Sequence, residues 1–458
     1  MLSKIIEDAR RLTTPTPERY KEVREIAEQV VIKVKKYAQQ SPFNPEVIAG
    51  GSYARDTWLP EKADIDFFLR YPLDATKLDL EEDSYKISSE AFGRGKLIIR
   101  YAEHPYVETY VNDARINIVP CYKVERGNWL TAADRSPYHL KFMRVNLSQK
   151  QKSEVRVLKK FMKASESYGA EIKIGGLSGY MCEVLIYRYK TFVNLIENAQ
   201  KWRLPLIITD ADKLEYVKER FLGDKIIITD PIDMNRNLGR ALYITTLSRF
   251  ILESRSFIRN PSEEFFKEER KKVTKKQLIL PLSKNLLAIV FEHERMSVDI
   301  LWGMLNHTLS SLTKHFEKYD FKVIRSVAAS DDQKTSAFIF LFQMMTISQY
   351  QIKKGPSIFD DDNMQKFLSK NRKGAQILWI DDEGKICALK DRPLASTILL
   401  LKEILKDPTK FGVSKKIVQS LKMKNKIYVG KEILSDKREW LLEGVKEIFE
   451  PKGKNYLN

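Results

Sequence analysis

GGSYARDTWL at residues 50–59, followed by DIDFFLRYP at 64–72, decides the fold of the N-terminal part. IDFFLRY (65–71) is an apolar run of the length of a buried strand, and Pro72 stops it. VIAGGSY (47–53) reads as a shorter strand ending in a glycine turn, and the turn opens a presumed helix over 53–59. Asp64 and Asp66 stand two apart at the start of the apolar strand, so both side chains project from one face. Carboxylates placed there repel each other and are poorly solvated unless a divalent cation sits between them. The backbone N–H groups of the Gly51-Ser52 turn suit a phosphate, and Arg55 adds a charged donor. A Gly-Ser turn alone is commonplace, and a lone Asp-x-Asp is usually a solvated pair. Together they set a phosphate cradle beside metal-binding carboxylates, which is what nucleotidyl transfer requires.

Upstream of this stretch, PERYKEVREIAEQVVIKVKKYAQQ (17–40) places Val23, Ile26, Ala27, Val30, Val34 and Ala38 at helical spacing behind Pro17. KLIIRYAEH (96–104), YVETYV (106–111) and ARINIVPCYKV (114–124) are further strands, with Asn112-Asp113 as a hairpin turn. These elements make a mixed α/β first domain over 1–150. From 151 the pattern turns helical. VRVLKKFMKAS is amphipathic, GGLSGY is a break, and MCEVLIYRYKTFVNLIENAQKW reads as one long helix. LGRALYITTLSRFILESRSFI (238–258) closes a central domain over 151–258. The charge-rich stretch 259–278 is a boundary. LLAIVFEH (286–293) then reads as a strand, 298–319 as a helix, and FKVIRSVAAS and SAFIFLFQMMT as two strands around a polar turn. That β-α-β-β order predicts a small antiparallel sheet with a helix on one face. Residues 355–458 read as short helices rich in Lys, so 259–458 is expected to be an α+β body with a basic helical tail.

The chain has 458 residues, 43% apolar and 31% charged, which is enough to bury several cores and excludes a disordered tail protein. Its 79 Lys and Arg against 61 Asp and Glu leave a net charge of +18. Such an excess suggests a polyanionic partner, nucleic acid first, although a merely basic surface gives the same number. Three scattered cysteines (Cys121, Cys182, Cys387) support neither a disulfide framework nor a zinc site, which favours a reducing compartment. The histidines (His104, His139, His293, His307, His315) show no metal-ligand spacing. MLSKIIEDARRLTT lacks a signal-peptide apolar stretch, and no apolar run is long enough for a membrane span. A soluble, cytoplasmic protein with no membrane partner is expected.

Several motifs follow the first in order: YAEHPYV, IVPCY, DRSPYH, EVRVLKKFMKASESYGAE, GLSGY and DPIDMNRN, ending at residue 237. With them the chain resembles the archaeal (class I) CCA-adding enzymes, tRNA nucleotidyltransferases of the polymerase-β-like superfamily. SEEFF, FKVIRS and NMQKFLSKNR extend the likeness thinly into the C-terminal half. The resemblance implies a multidomain α+β protein: a polymerase-β-like head, a helical central domain, a small α+β body and a basic helical tail. It implies addition of C, C and A to the tRNA 3′ end from CTP and ATP, without a nucleic-acid template and with two Mg2+ ions. Asp64 and Asp66 match metal-binding carboxylates, and Gly51 and Ser52 match the pair that binds the triphosphate, with Arg55 beside them. Ser136, where relatives often carry Thr, and His139 match nucleotide-contacting positions. Lys159 and Tyr168 match a phosphate-contacting Lys and a Tyr of the central domain, and Arg236 the Arg that helps read the base, with Asp233 nearby.

Apart from the resemblance, Lys159 reads as a helix-surface lysine and Tyr168 as a core residue. His104 and His139 read as structural histidines, and Arg236 as the partner of Asp230 or Asp233. The tRNA is expected to be held by its backbone and shape. Residues 406–431 carry eight Lys and one Asp with Phe411 and Tyr428 interleaved, which with the resemblance favours RNA contact over a solvated basic face. ERKKVTKK (269–276) divides between RNA contact and linker. The oligomeric state is left open, a homodimer included.

One position departs from the family pattern. Relatives carry a third carboxylate in a stretch like V-D-V-V-P-C-Y, where this chain has Ile116-Asn117-Ile118-Val119-Pro120-Cys121-Tyr122. Asp113 shares the strand face of Asn117 but lies about 13 Å along the strand, too far to replace it. Asn117, in this catalytic position, offers a carbonyl oxygen without a charge and cannot take a proton from the primer hydroxyl. A slow but working enzyme, an altered inactive form and a natural tRNA-binding relative without catalysis all fit. Another RNA-specific nucleotidyltransferase, such as a poly(A)-forming enzyme, is the rival within catalysis.

Overall fold

Val23, Ile26, Ala27, Val30, Val34 and Ala38 all lie buried along one side of α2 (Pro17–Ala38) in the computed structural model. Thr16 caps this helix by accepting from Arg19 N–H, and Pro17 starts it. Residues 2–101, 105–268 and 281–450 are described. They fall into two compact units, one within 1–270 and one within 271–451. His104 and the mixed-charge stretch 269–276 lie outside the described residues.

In the first unit, β1 (Glu46–Gly50), β2 (Asp64–Tyr71), β3 (Ile98–Tyr101), β4 (Pro105–Val111) and β5 (Ala114–Tyr122) form one sheet ordered β1-β2-β5-β4-β3. The hairpin turn falls at Asn112-Asp113 as expected, Asn112 taking φ 53°. β2 and β5 pair in parallel, and the other neighbours are antiparallel. One face packs Ile65, Phe67, Leu69, Tyr71, Ile116 and Ile118 against α2 and against α4 (Lys77–Phe92). The helix α4 has no counterpart in the sequence reading. Its buried side includes Asp83, Ser84 and Ser88 beside Leu80 and Ile87, so its apolar period is weak.

The rest of this unit is built on α6 (Gln149–Ala164), which follows α5 (Ser136–Asn146). Phe161 of α6 sits among Phe192, Phe250, Phe257, Phe265 and Phe266. The N-terminal helix α1 (Leu2–Thr13) sends Ile5, Ile6 and Ala9 into this core and ties Arg10 to Glu154 at 2.6 Å. The single long helix expected after GGLSGY is two: α7 (Gly179–Tyr189) and α8 (Phe192–Ala199). Lys190 at φ 71° breaks them, and Thr191 caps the second. The helix expected over 238–258 begins only with α10 at Ile244 and ends at Arg259. Between α8 and α10 runs a small sheet, β6 (Leu206–Ile208), β7 (Ile226–Asp230) and β8 (Asp233–Asn237), with α9 (Leu214–Arg220) before β7. Strands this short carry too little periodic signal to read.

The second unit holds β9 (Leu286–Glu292), α11 (Val298–Lys318), β10 (Val323–Ser330) and β11 (Thr335–Phe342), the expected β-α-β-β order. The antiparallel sheet gains a fourth strand, β15 (Asn425–Val429), in the order β10-β11-β9-β15. The all-helical tail is a correction. Beyond residue 349, β12 (Tyr350–Ser357), β13 (Ala375–Ile380) and β14 (Lys385–Asp391) form a separate sheet with α12 (Asp361–Asn371). Only then come α13 (Thr397–Lys406), α14 (Lys415–Met423) and, after β15, α15 (Glu439–Phe449). No helix among the described residues is long and apolar enough to cross a membrane.

Candidate active site

The strand β1 runs antiparallel to β2 so that Gly50 faces Asp66. A β-carbon at Gly50 would come within 2.3 Å of the Phe68 ring, and one at Gly51 within 1.9 Å of Asp66 Oδ2. Gly51 also takes φ +62°, where side chains strain the backbone. Gly51 is therefore what lets the turn lie against the carboxylate, and Gly50 what lets it lie against the Phe68 ring. The helix that follows, α3 (Gly51–Arg55), is shorter than the expected 53–59 and carries Ser52 in its first turn. It stops at Asp56 in the left-handed region. Tyr20 Oη donates to Asp56 at 2.7 Å, and Arg156 donates to the Asp56 carbonyl at 2.7 Å. Burial and the Asp56 carboxylate push the Tyr20 hydroxyl up to about 12, so it stays a donor.

Asp64 and Asp66 leave β2 on the face opposite the helices, and β5 places Arg115 and Asn117 beside them in register. Asn117 Nδ2 donates to Asp66 Oδ1 at 2.8 Å. Asn117 is 6% exposed, and its Oδ1 has no hydrogen-bond partner. Burial pushes the Asp66 carboxyl above the usual range, against the pull of Asn117 and Arg55. Arg115 forks onto Asp64, Nε to Oδ1 and Nη2 to Oδ2, both at 2.8 Å. Asp113 stays at the hairpin turn and pairs with Arg19 at 2.5 Å.

From the central part, Glu183 on α7 reaches the turn. It pairs with Arg55 Nε at 2.6 Å and accepts from Thr57 Oγ1 at 2.5 Å, all three side chains being buried. Lys159 is no surface lysine: it is 2% exposed, and its Nζ donates to the Thr57 carbonyl at 2.8 Å. Burial lowers its pKa. A methyl at Gly179 would lie 3.0 Å from Tyr168 Oη and 3.5 Å from Lys159 Nζ, so both side chains reach the start of α7. Asp230, at the end of β7, gathers the next group. It receives His139 Nε2 at 2.8 Å, Tyr180 Oη at 2.9 Å and Arg236 Nη1 at 3.2 Å. His139 also stacks on Tyr180, with ring centroids 3.8 Å apart. Burial lowers the His139 pKa, so the neutral ring donates its Nε2–H. Burial works to raise the Asp230 pKa, but its donors outweigh it and keep the group ionised. Asp233 pairs instead with Arg135 at 2.8 Å, next to Ser136 at the head of α5.

Three family profiles match the chain in sequence. "Nucleotidyltransferase domain" covers residues 31–142, "tRNA nucleotidyltransferase, second domain" 153–267, and "CCA-adding enzyme, C-terminal domain" 283–430. The CCA-adding enzyme of Pyrobaculum islandicum is 32% identical over 376 residues, 81% of this chain and 86% of that protein. The chain belongs to the archaeal CCA-adding enzymes. The CCA-adding enzyme of Methanocaldococcus jannaschii is 32% identical over 88% of this chain and 91% of its own length. That of Methanothermobacter thermautotrophicus is 27% identical over 95% and 96%. Among solved structures, a cytoplasmic RNA terminal U-transferase superposes with a TM-score of 0.45 at 14% identity, over 59% of this chain and 99% of that one.

In this CCA-adding family member the donors fit a divalent cation. Two carboxylates share a strand face, and the orphaned Asn117 Oδ1 adds a neutral oxygen. Among the described residues no group of three His, Cys, Asp or Glu is placed to hold a metal, in keeping with Asn at the third position. Reading the sequence passed over Arg115, Glu183, Tyr180 and Glu108 and gave Asp230 only a pairing role. Each gains its place through strand register or a contact across 50 or more residues of chain, and neither leaves a local signal. Tyr428 is a correction: it is buried and donates to Asp436, so it is closed to RNA stacking, whereas the eight lysines of 406–431 are all exposed.

Proposed function

We propose that this chain builds the CCA end of tRNA at the Gly51–Asp66 site. The tRNA 3′-hydroxyl attacks the α-phosphate of CTP, twice, and then of ATP; an O3′–P bond forms, the bond to the β-phosphate oxygen breaks, and pyrophosphate leaves each time. The observation that carries this reading is the Asp64/Asp66 pair set against the glycine turn in a member of this family. Divalent metal, Mg2+ and two ions on this reading, supplies when bound the polarisation of the attacking hydroxyl and the charge that steadies pyrophosphate. Asp64 and Asp66 hold it, with Asn117 Oδ1 as a neutral donor. Gly51, Ser52 and the turn amides take the triphosphate. Arg55 is fixed beside them by Glu183, Lys159 props the Thr57 carbonyl, and Tyr168 reaches the same end of α7. Arg236 is anchored through one nitrogen on Asp230 and its side chain is 35% exposed, which leaves donors for the edge of the incoming base. His139 and Ser136 border that pocket. The exposed Lys of 406–431 meet tRNA phosphates, and the reaction runs in the cytoplasm, where the three buried free thiols stay reduced.

The test is incorporation of labelled nucleotides into tRNA lacking its CCA end. CTP alone is expected to add two residues, and CTP with ATP to complete CCA; adenylation without CTP use would favour another RNA nucleotidyltransferase. A second reading, a tRNA-binding relative without catalysis, draws on Asn117 and on Arg115 closed over Asp64. It predicts tRNA binding with no incorporation, Mn2+ included.

A further inference from the structure

Arg115 closes on both oxygens through which Asp64 would ligate a cation, and it puts a positive charge where the cation goes. A forked guanidinium–carboxylate pair is among the stronger charge-assisted contacts in proteins. Lys62 Nζ adds to it, 3.9 Å from Asp64 Oδ1. In the arrangement seen here Asp64 is already neutralised.

The remaining nitrogen of the fork, Nη1, lies 3.8 Å from Oε2 of Glu108. Glu108 is 1% exposed and sits on β4 directly opposite Asn117, so Asp66, Asn117 and Glu108 form one row across three strands. Arg100 holds Glu108 from its far side, Nη2 to Oε1 at 2.8 Å and Nε to Oε2 at 3.2 Å, and Tyr110 Oη reaches Oε1 at 3.4 Å. A carboxylate has about four acceptor positions, so Glu108 has room for a further donor. A buried anion therefore waits within about an ångström of hydrogen-bond distance of Arg115.

We propose that Arg115 is a resident competitor of the divalent cation, passed from Asp64 to Glu108 when the cation binds. The inference rests on the reading of Asp64 and Asp66 as the metal-holding pair. Glu108 makes the transfer possible, because a partly buried guanidinium, 29% exposed, would otherwise leave its carboxylate with no second anion to take it. A single long side chain then has two paired positions, and the cation selects between them.

The test is titration of the full-length chain with Mn2+ alone, read by loss of the free-ion EPR signal. Arg115→Gln is expected to tighten Mn2+ at least about tenfold. Glu108→Gln is expected to weaken it, and to lose that effect when combined with Arg115→Gln. Unchanged or weaker binding in Arg115→Gln would overturn the proposal. So would a Glu108→Gln effect of equal size with and without Arg115, which would make Glu108 a general negative charge. If Arg115→Gln does not fold, Arg115→Lys keeps the charge without the fork, and tightening by a smaller factor is expected; none would overturn the transfer. Asp66→Asn separates the two levels. Mn2+ binding that ignores Asp66 would remove the metal site and this inference with it, while binding that needs Asp66 but ignores Arg115 would sink the transfer alone.

Discussion

At Gly51 a methyl group would meet Asp66 Oδ2, and the positive φ adds backbone strain. Gly51→Ala is expected to cost about 1–2 kcal/mol in urea unfolding, and to lower CTP incorporation about 100-fold through a displaced Asp66. A variant with normal turnover would separate the turn from the chemistry. His139 sets a pH dependence. Its folded pKa lies below the ordinary value, so as pH falls below about 6.5 the unfolded state takes up the proton first and stability drops. Asp230, held below the carboxylate range, adds its loss only at more acid pH. Stability measured between pH 7 and 5 is therefore expected to fall, and His139→Gln to flatten that slope; an equal slope would assign it to another group. The shared strand face of Asp64 and Asp66 was legible from a spacing of two on an apolar strand. Arg115 and Glu108 were not, since their meaning lies in which residue of a neighbouring strand they face.

Among the elements, α7 joins the sheet to the central helices. Its Glu183 holds Arg55 of α3 and Thr57, with Lys159 of α6 on the Thr57 carbonyl. Glu183→Ala leaves a buried guanidinium unpaired and is expected to cost about 3–5 kcal/mol. Removing both charges, with Arg55→Met and Glu183→Met together, is expected to cost less than the Glu183 change alone; additive losses in a double-mutant cycle would contradict the pairing. The long strands and α2 were readable because each has an unbroken apolar period. The break at Lys190, the polar-faced α4 and the three-residue β6 were not, because a backbone angle, buried serines and a very short strand leave no such period.

For the whole molecule, the net charge of +18 finds an outlet in the exposed lysines around α14. Exchanging Lys415, Lys416, Lys422 and Lys424 for Gln is expected to reduce the slope of log affinity for tRNA against log salt by about 3. An unchanged slope would return the stretch to a solvated surface. The order of head, central helices and α+β body was legible because separate motifs kept their sequence. The sheet β12-β14-β13 was hidden by lysines and exposed apolar residues that alternate poorly between faces.

On this proposal Asp64, Asp66 and position 117 form the site of nucleotidyl transfer. The most direct measurement is CTP and ATP incorporation into tRNA lacking CCA, comparing this chain with Asn117→Asp and Asp66→Asn. C, C, A addition is expected, faster with Asp at 117 and lost with Asn at 66. Binding of tRNA without incorporation by this chain and by Asn117→Asp would contradict it.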